Sequence, residues 1–486
     1  MGIQGLLPNV ENVCVKGNIS SFKGKRIAID TYCWLHRSAA NCAESLVLGR
    51  PTRMHINYCV DRVTLLQSKG ITPICVFDGA ALPMKKVTEE ERHKKRMKAR
   101  NEIAEMKRKK TGNSYIMKNL CQKALDITPD IAYQVLEVLR DTCKIECIVA
   151  PYEADAQLSY LSRKGYVDAV LTEDSDMLVF GSKCTIYKYD DKTGSCKIIN
   201  WNDLYNSGLI PKKMFNYETF VLGCILTGCD YVKSPQGVGI KTAMKLTQEC
   251  NANLEKIISQ LQELGKHVPT DYSESVQRAL ITFFHQTVFD PVEQKMVPLS
   301  ESKPPIINGT TNVTLSGVPI FLEFNRQMSC ETRTDFDNTY DFIGPIIKGD
   351  IGKKICMGIL HPESKIEYKK IEERTELNLQ DAIDMHEDQI NSRNRDKNTR
   401  NDGIKENLSL NFTFEAEREF EIEKTIKKSI KFPVFKKLSK TKFNIEHGNE
   451  LDIKKKRRAI WLNSEENIES RNQEINLLNS LAFNMV

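Results

Sequence analysis

The sequence lacks any apolar run close to the roughly 20 residues that a membrane-spanning helix needs. It also has no basic N-terminal region followed by an apolar stretch, so we expect no secretory signal peptide. Leu6 stands where N-myristoylation after Gly2 would require Ser or Thr. These absences predict a protein without a membrane partner.

The 15 cysteines include no Cys-x-x-Cys pair and no Cys/His set at the spacing of a zinc site. Most lie beside apolar residues, as Cys75 and Cys224 do. This pattern excludes the common zinc modules and predicts buried free thiols in a reducing compartment.

Charged residues are unevenly distributed along the chain. The net charge of +6 over 486 residues is compatible with a polyanionic partner without requiring one. Residues 84–123 carry 14 Lys and Arg against 5 Glu, with little apolar content, and predict an exposed helix, arch or loop. Residues 301–340 are rich in Pro, Thr, Asn and Ser, and residues 365–486 are dominated by charged residues and Asn. The composition of residues 365–486 predicts a largely disordered tail.

Between residues 1 and about 300, short β-branched apolar runs alternate with amphipathic helical stretches. This alternation predicts an α/β fold with a mostly parallel central sheet flanked by helices on both faces. The predicted strands are residues 26–29, 71–77, 145–150, 167–171 and 185–189.

Acidic residues follow four of these predicted strands. They are Asp30, Asp78, the pair Glu153 and Asp155, and the pair Asp174 and Asp176. Because the carboxyl ends of parallel strands lie along one edge of a sheet, these acids should converge. Converging carboxylates repel one another unless a cation lies between them, and their oxygens suit Mg²⁺ or Mn²⁺. The pattern predicts a metal site, although a single acid such as Asp30 is also typical of a turn or a helix N-cap.

A Gly-Val-Gly segment, residues 237–239, lies between an apolar helix that ends near Gly228 and a helix that starts near Ile240. Glycine backbone and free helix N–H groups can bind a phosphate, and Lys241 adds charge. This arrangement fits a sequence-independent clamp on a DNA backbone, and a plain interhelical turn is the alternative. Asp230, near the end of the first helix, could join the other acids.

Together these residues resemble the flap endonuclease or XPG-type superfamily of structure-specific 5′ nucleases. The resemblance lies in residues 1–7 (MGIQGLL), 76–79 (VFDG), 150–157 (APYEADAQ), 172–176 (TEDSD) and 228–231 (GCDY). Residues 30–37, 82–86 and 288–291, with Tyr152 in the acidic block, favour the exonuclease 1 branch of this superfamily.

The resemblance implies a Mg²⁺-dependent 5′→3′ double-strand DNA exonuclease with 5′-flap endonuclease activity, acting in mismatch repair, recombination and end resection. It implies two Mg²⁺ ions, replaceable by Mn²⁺, with Lys85 and Arg92 as catalytic residues at the scissile phosphate. The implied metal ligands, acting directly or through water, are Asp30, Asp78, Glu153, Asp155, Asp174, Asp176 and Asp230.

The resemblance also implies which residues contact DNA. Tyr32 and His36 would pack against the DNA end, and Gly2 would lie near the active site. Further DNA contacts would come from Arg96, Gly237, Val238, Gly239 and Lys241, with a K⁺ ion near Ser234 and Val238.

The resemblance implies a PIN-like nuclease core with a helical arch and a helix-two-turn-helix element. The corresponding regions are an N-terminal nuclease region at 1–99, a basic arch at 84–130, an internal acidic region at 138–230, the helix-two-turn-helix at 220–300, a weakly matching extension at 301–364 and the tail at 365–486. Residues 301–340 depart from the pattern that we expect for the family after its core.

The expected partner is double-stranded DNA with 5′ ends, nicks or flaps, bound by a monomer. Residues 432–437 and 439–443 are candidate sites for mismatch-repair proteins, and 454–458 (KKKRR) fits a nuclear localisation signal or an ordinary basic run. No PCNA-binding box is found, because the region around Gln473 lacks the aromatic positions. The alternatives are a flap or junction endonuclease of the same superfamily and an inactive DNA-binding scaffold, which would be expected to have lost several of the seven acids.

Overall fold

A computed structural model of the chain describes residues 2–109, 113–212, 215–300 and 338–368. Apart from its first four residues, 365–368, the expected disordered tail lies outside these ranges, as do its nuclear signal and its two candidate partner segments. In the described ranges no helix combines the length and apolar content needed to cross a membrane. All 14 cysteines in these ranges are free thiols and none is exposed, as the sequence predicts.

A central sheet of seven strands organises the molecule, and a separate two-stranded hairpin lies beside it. The strands are β1 (Val15–Asn18), β2 (Arg26–Asp30), β3 (Thr72–Phe77), β4 (Glu146–Val149), β5 (Ala169–Leu171), β6 (Cys184–Tyr187), β7 (Ser195–Asn200), β8 (Thr287–Asp290) and β9 (Lys295–Pro298). The sheet order is β1-β7-β6-β5-β2-β3-β4. Strands β2 to β6 pair in parallel, whereas β7 is antiparallel to β6 and β1 is antiparallel to β7.

The predicted parallel sheet is confirmed, and strands β2 to β6 correspond to the five predicted apolar runs. The antiparallel strands β1 and β7 were not predicted. Strand β1 has the sequence Val-Lys-Gly-Asn and is mostly exposed, so it carries no apolar signal.

Apolar side chains alternate between the two faces of the sheet. Ala28 and Ile74 belong to the core on one face, while Ile29 and Cys75 belong to the core on the other. Successive side chains of a strand point to opposite faces, so both faces must be covered for these residues to be buried. With both faces packed, the edge formed by the strand ends is the open place for a site.

Helices cover both faces of the sheet and extend beyond it. They are α1 (Leu6–Asn9), α2 (Thr31–Asn41), α3 (Ala43–Val47), α4 (Met54–Ser68), α5 (Lys86–Lys109), α6 (Ser114–Ala124), α7 (Pro129–Glu137), α8 (Ala154–Arg163), α9 (Asp176–Val179), α10 (Tyr217–Thr227), α11 (Ile240–Glu249), α12 (Leu254–Glu263), α13 (Tyr272–His285) and α14 (Gly349–Cys356). Helices α10 and α11 match the two helices predicted around the Gly-Val-Gly segment.

The basic segment forms helices α5 and α6, inserted between β3 and β4, as the sequence predicts. The two helices pack on each other through a small apolar cluster that includes Ala99, Ile103 and Leu120. Ala43 of α3 joins the same cluster and attaches the pair to the nuclease core. Most of α5 therefore remains free to present its charges.

After residue 300 the sequence predicts only a weakly matching extension, residues 301–364, with the disordered tail from residue 365. Residues 338–368 pack back onto the core: the hydroxyl of Tyr152 donates to the carbonyl of Pro345 at 2.9 Å. The rings of Tyr133 and Tyr368 stack with centroids 3.7 Å apart. Helix α14 of this segment is amphipathic and buries Ile355 and Cys356, and Tyr340, Phe342 and Ile343 form a small apolar cluster with Ile281 of α13.

Replacing Gly344 by Ala tests this packing. Gly344 has φ +84°, and a Cβ built there would lie 2.7 Å from Cζ of Tyr152. Strain and overpacking together should lower the free energy of unfolding by about 2–4 kcal/mol in urea denaturation. Gly349 is the matched control, because its φ is +75° with no atom within 4 Å of a Cβ, so Gly349→Ala should cost only about 1 kcal/mol. Equal losses in the two variants would argue against the packing of this segment on Tyr152.

Candidate active site

The acids predicted from the sequence meet at the carboxyl ends of four adjacent strands. Asp30 is the last residue of β2, Asp78 follows β3, and the other acids follow β4 and β5. Their proximity is evident in their electrostatics, because the carboxylate of Asp155 is repelled by Asp174, Asp30, Asp176 and Glu153. Asp230, on the segment between α10 and α11, also acts on Asp176. The structure therefore brings all seven acids into one cluster.

Burial and mutual repulsion make several of these carboxyls hard to ionise. Burial, followed by repulsion from neighbouring acids, raises the pKa of Asp155 and of Asp176 well above the ordinary value. Burial also raises the pKa of Asp174. Asp78 has its pKa raised to about 7, again chiefly by burial. A group of this kind favours a cation among its members.

Two basic side chains from the start of the arch contact only part of the cluster. Nζ of Lys85 lies 2.5 Å from Oε1 of Glu153 and 2.8 Å from Oδ2 of Asp230. Nη2 of Arg92 lies 3.1 and 3.0 Å from the two carboxylate oxygens of Asp230. Although burial opposes it, the attraction of these cations lowers the pKa of Asp230.

Lys85 stays charged in this position. Burial alone would lower its pKa, but the attraction of Glu153 and Asp230 raises the pKa well above its ordinary value. In the described part of the chain, no lysine or arginine forms an ion pair with the remaining five acids, which are Asp30, Asp78, Asp155, Asp174 and Asp176. If these five acids are ionised, they need more positive charge nearby than Lys85 and Arg92 supply.

Asp30 and Asp78 also have structural roles at helix starts. Oδ1 of Asp30 accepts from the backbone N–H of Cys33 at 3.2 Å and caps α2, so the N-cap interpretation of this residue is confirmed. Its Oδ2 accepts from the hydroxyl of Thr172 at 2.7 Å. Oδ1 of Asp78 accepts from the N–H of Ala154 at 2.7 Å, at the start of α8. Because a carboxylate has about four acceptor positions, these bonds leave room for a further ligand.

The N-terminal segment lies directly on the acids that follow β5. The N–H of Ile3 donates to Oδ1 of Asp176 at 3.1 Å. Gly2 has φ +80°, and a Cβ built on it would lie 2.5 Å from Oγ of Ser175 and 2.6 Å from Oδ1 of Asp176, and closer still to Asp174. The structure therefore places Gly2 near the acid cluster, as the resemblance implies, and only glycine fits there.

The donor set fits divalent metal ions of the hard, oxygen-binding type. The side chains are carboxylates, several are buried, and their mutual repulsion is only partly offset by Lys85 and Arg92. Over the ranges that the structure describes, no three acids, histidines or cysteines are arranged so that they could hold a metal ion as they stand. Ion binding by these acids would therefore need side-chain movement, with water or substrate completing the shell.

The residues expected at the DNA end lie together on α2. The rings of Tyr32 and His36 are edge-on with centroids 6.3 Å apart. His36 is exposed, whereas Tyr32 is partly buried and close enough to Asp78 for that charge to raise its pKa further, after burial. Nε of Arg96 on α5 lies 3.4 Å from Oδ1 of Asp126. One surface beside the acids therefore carries an aromatic pair.

The Gly-Val-Gly segment forms the turn before α11. Gly237 has φ +77°, which requires glycine, and Gly239 is the N-cap residue of α11 without a side chain to cap it. The hydroxyl of Ser234 donates to the carbonyl of Val238 at 2.7 Å, so the two expected potassium ligands are neighbours. Lys241 is exposed on the first turn of α11. The turn leaves helix N–H groups available to a phosphate.

Three residues without a role in the sequence interpretation contact the cluster. Oε2 of Glu153 accepts from the hydroxyl of Tyr231 and from Nε2 of Gln286, the latter at 2.9 Å. The hydroxyl of Thr88 donates to the carbonyl of Asp230 at 2.7 Å. Tyr231 adjoins Asp230 in the GCDY block, so the sequence could have indicated that it lies near the acids. Nothing in the sequence around Gln286 indicates that this residue contacts the cluster.

Comparison with known proteins identifies the class. Residues 1–99 match the XPG N-terminal domain, and residues 144–230 match the XPG I-region. The DNA damage-inducible protein DIN7 of Saccharomyces cerevisiae is 32% identical over 317 residues, which are 64% of this chain and 72% of that protein. The chain therefore belongs to the XPG-type nuclease superfamily, as its sequence motifs indicate.

Within this superfamily, the similarity includes proteins named Exonuclease 1. Exonuclease 1 of Arabidopsis thaliana is 36% identical over 375 residues, which are 76% of this chain but 45% of the relative. The chain thus spans less than half the length of that relative. Among solved structures, flap endonuclease-1 from Methanococcus jannaschii is 22% identical with a TM-score of 0.38, covering 55% of this chain and 82% of that one.

Proposed function

We propose that this chain is a Mg²⁺-dependent 5′→3′ double-strand DNA exonuclease with 5′-flap endonuclease activity. The observation that carries the proposal is the cluster of seven acids, at the end of a parallel sheet and beneath the basic helix α5. Membership of the XPG-type nuclease superfamily supports phosphodiester hydrolysis as the reaction.

Two divalent ions, Mg²⁺ or Mn²⁺, would be held directly or through water by Asp30, Asp78, Glu153, Asp155, Asp174, Asp176 and Asp230. When bound, they supply positive charge at the attacking and leaving oxygens of the phosphate. Lys85 and Arg92 contribute fixed positive charge from the start of the arch, where negative charge develops on the scissile phosphate.

The DNA is positioned by surfaces on either side of the acids. Tyr32 and His36 pack against the base at the 5′ end, a contact worth roughly 1–3 kcal/mol per stacked base. Arg96 adds charge from α5. On the other side, the backbone of residues 237–239, Lys241 and a K⁺ ion at Ser234 and Val238 hold the phosphates of the duplex.

In the cell, we assign the chain to the nucleus and to mismatch repair, recombination and end resection, acting as a monomer on 5′ ends, nicks and flaps. Mismatch-repair proteins would bind through the tail segments 432–437 and 439–443. Fusing residues 450–462 to a fluorescent reporter tests the localisation, because KKKRR should concentrate the reporter in nuclei and its replacement by alanines should abolish this.

A flap or junction endonuclease of the same superfamily is the second candidate, since it would use the same acids. Duplexes labelled on one strand at either the 5′ or the 3′ end distinguish the two. We expect Mg²⁺-dependent shortening of 3′-labelled blunt duplexes into a ladder, mononucleotide release from 5′-labelled ones, and no cutting in EDTA. Cleavage restricted to flaps would favour the second candidate, and degradation from 3′ ends would contradict both.

The pKa of Asp78 predicts how metal affinity depends on pH. Burial raises the pKa of the Asp78 carboxyl to about 7, so this group is mostly protonated below pH 7. It must lose that proton to bind a cation. The affinity for Mn²⁺ should therefore rise about tenfold in all between pH 6 and pH 8 for this proton, with most of the rise below pH 7. Calorimetry in two buffers of different ionisation enthalpy counts the protons released.

The variant Asp78→Asn provides the comparison. At pH 6 it should release about one proton fewer than the wild type on binding Mn²⁺, because the amide has none to lose. Identical proton release by the two proteins would show that Asp78 does not titrate with metal binding.

A further inference from the structure

The carboxylate of Glu153 is held by neighbours on both of its oxygens. Glu153 is the N-cap residue of α8, yet its side chain does not cap that helix, and the N–H of Ala154 donates to Asp78. Its Oε1 accepts from Lys85 at 2.5 Å. Its Oε2 accepts from the hydroxyl of Tyr231 and from Nε2 of Gln286. The orientation of this acid is therefore set from outside its own helix.

The two donors to Oε2 come from different parts of the fold. Tyr231 follows Asp230 and begins the segment that leads to Gly239, and its ring packs edge-on against Phe283 of α13 with centroids 5.0 Å apart. Gln286 is fully buried between α13 and β8, and its Nε2 lies 3.4 Å from the hydroxyl of Tyr231. In the contact with Glu153, the phenol of Tyr231 is the donor, because a carboxylate can only accept.

The amide of Gln286 is oriented by its donor contacts. Its acceptor Oε1 is buried and has no hydrogen-bond partner among the residues that the structure describes. An unpaired buried acceptor costs about 1–3 kcal/mol, so packing alone would not select this arrangement. The orientation of the amide is instead explained by the contacts of Nε2 with Glu153 and Tyr231.

We propose that Tyr231 and Gln286 are positioning residues that hold Oε2 of Glu153 in the orientation needed to bind a divalent ion, and that Tyr231 links this acid to the segment that leads to residues 237–239. The inference rests on the proposed function, since it gives Glu153 the role of a metal ligand. Neutral donors suit this task, because they fix a carboxylate without neutralising the charge that attracts the ion.

The test compares Tyr231→Phe and Gln286→Leu with the wild-type full-length chain. Mn²⁺ affinity is measured by electron paramagnetic resonance without DNA, and single-turnover cleavage of a 5′-recessed duplex is measured against Mg²⁺ concentration. Loss of such an outer contact typically weakens metal binding about 10–100-fold. We expect each variant to bind Mn²⁺ at least about tenfold more weakly and to need correspondingly more Mg²⁺ for half-maximal rate, with DNA affinity in Ca²⁺ nearly unchanged.

Tyr160→Phe is the matched control. The hydroxyl of Tyr160 also donates to a buried carboxylate, Asp290, at 2.6 Å, but this pair is not part of the acid cluster. The control should lose stability without losing Mn²⁺ affinity. The same loss of Mn²⁺ affinity in Tyr160→Phe would mean that general loosening explains the effect and would overturn the proposal.

Two other outcomes separate this inference from the function on which it rests. In the first outcome, the wild type binds Mn²⁺ and cuts DNA, and the folded Tyr231→Phe and Gln286→Leu variants bind Mn²⁺ with an affinity within about twofold of the wild type. This result would overturn the positioning role alone. Wild-type protein that binds no Mn²⁺ would overturn the proposed function and this inference with it.

Discussion

Asp176→Asn should lower the cleavage rate by about 10³-fold or more, while the affinity for a 5′-recessed duplex in Ca²⁺ changes little. Asp176 is buried at the centre of the acid cluster, where Asp174 and Asp230 both act on it. Asparagine keeps the shape and the acceptor for the N–H of Ile3 but removes the charge that a cation would require. Because that charge is repelled in the metal-free fold, the variant should be at least as stable as the wild type.

Glu173→Gln is the control within the same TEDSD block. The carboxylate of Glu173 accepts from the backbone N–H of Lys188 and pairs with its Nζ, both at 3.1 Å, away from the cluster. Its replacement should leave the single-turnover rate within about twofold, because surface ion pairs contribute little. A rate for Asp176→Asn within tenfold of the wild type would remove Asp176 from the active site.

Gly2→Ala should reduce cleavage by about 10²-fold or more. The added Cβ would lie within 2.6 Å of Oδ1 of Asp176 and would collide with Asp174 and Ser175, at a residue whose φ is already +80°. Either the N-terminal segment or the two acids must shift, and a displacement of about 1 Å in a catalytic group can cost 10²-fold. Single-turnover kinetics at saturating Mg²⁺ measures this effect.

Gly5→Ala separates the collision from the backbone strain. Gly5 has φ +77°, but the nearest atom to its Cβ is Cγ2 of Ile240 at 3.8 Å. Both variants should therefore lose roughly 1–2 kcal/mol of stability from the left-handed backbone, while only Gly2→Ala loses the reaction. If the two variants cut DNA equally well, the N-terminal segment has no part in holding the acids.

The sheet and most of the acid cluster were predictable from the sequence for a local reason. Strands β2 to β5 are short apolar runs, and the acids follow them directly, so parallel topology alone brings Asp30, Asp78, Asp174 and Asp176 together. For Asp30, the sequence left the helix cap and the metal ligand as alternatives. In the structure Asp30 caps helix α2. Its carboxylate still has acceptor positions left, so it can also bind a metal ion.

The features that were not predicted depend on contacts between distant residues. Gln286 reaches Glu153 across 133 positions, and no periodicity marks it. The close approach of Gly344 to Tyr152 likewise joins distant parts of the chain, and no local pattern indicates it. Strand β1 is polar and pairs only at the edge of the sheet, where β7 satisfies its backbone. In each case the partner, rather than the local sequence, determines the structure.

The proposed function requires the seven acids to form a binding site for two divalent ions. Anomalous diffraction from crystals of the full chain soaked in Mn²⁺ with a 5′-recessed duplex tests it most directly. We expect two manganese peaks within the cluster, bordered by Asp174 and Asp176 on one side and by Asp78 and Glu153 on the other. Neither peak should appear in Asp176→Asn at the same Mn²⁺ concentration. Manganese bound elsewhere on the chain, with no peak among these acids, would contradict it.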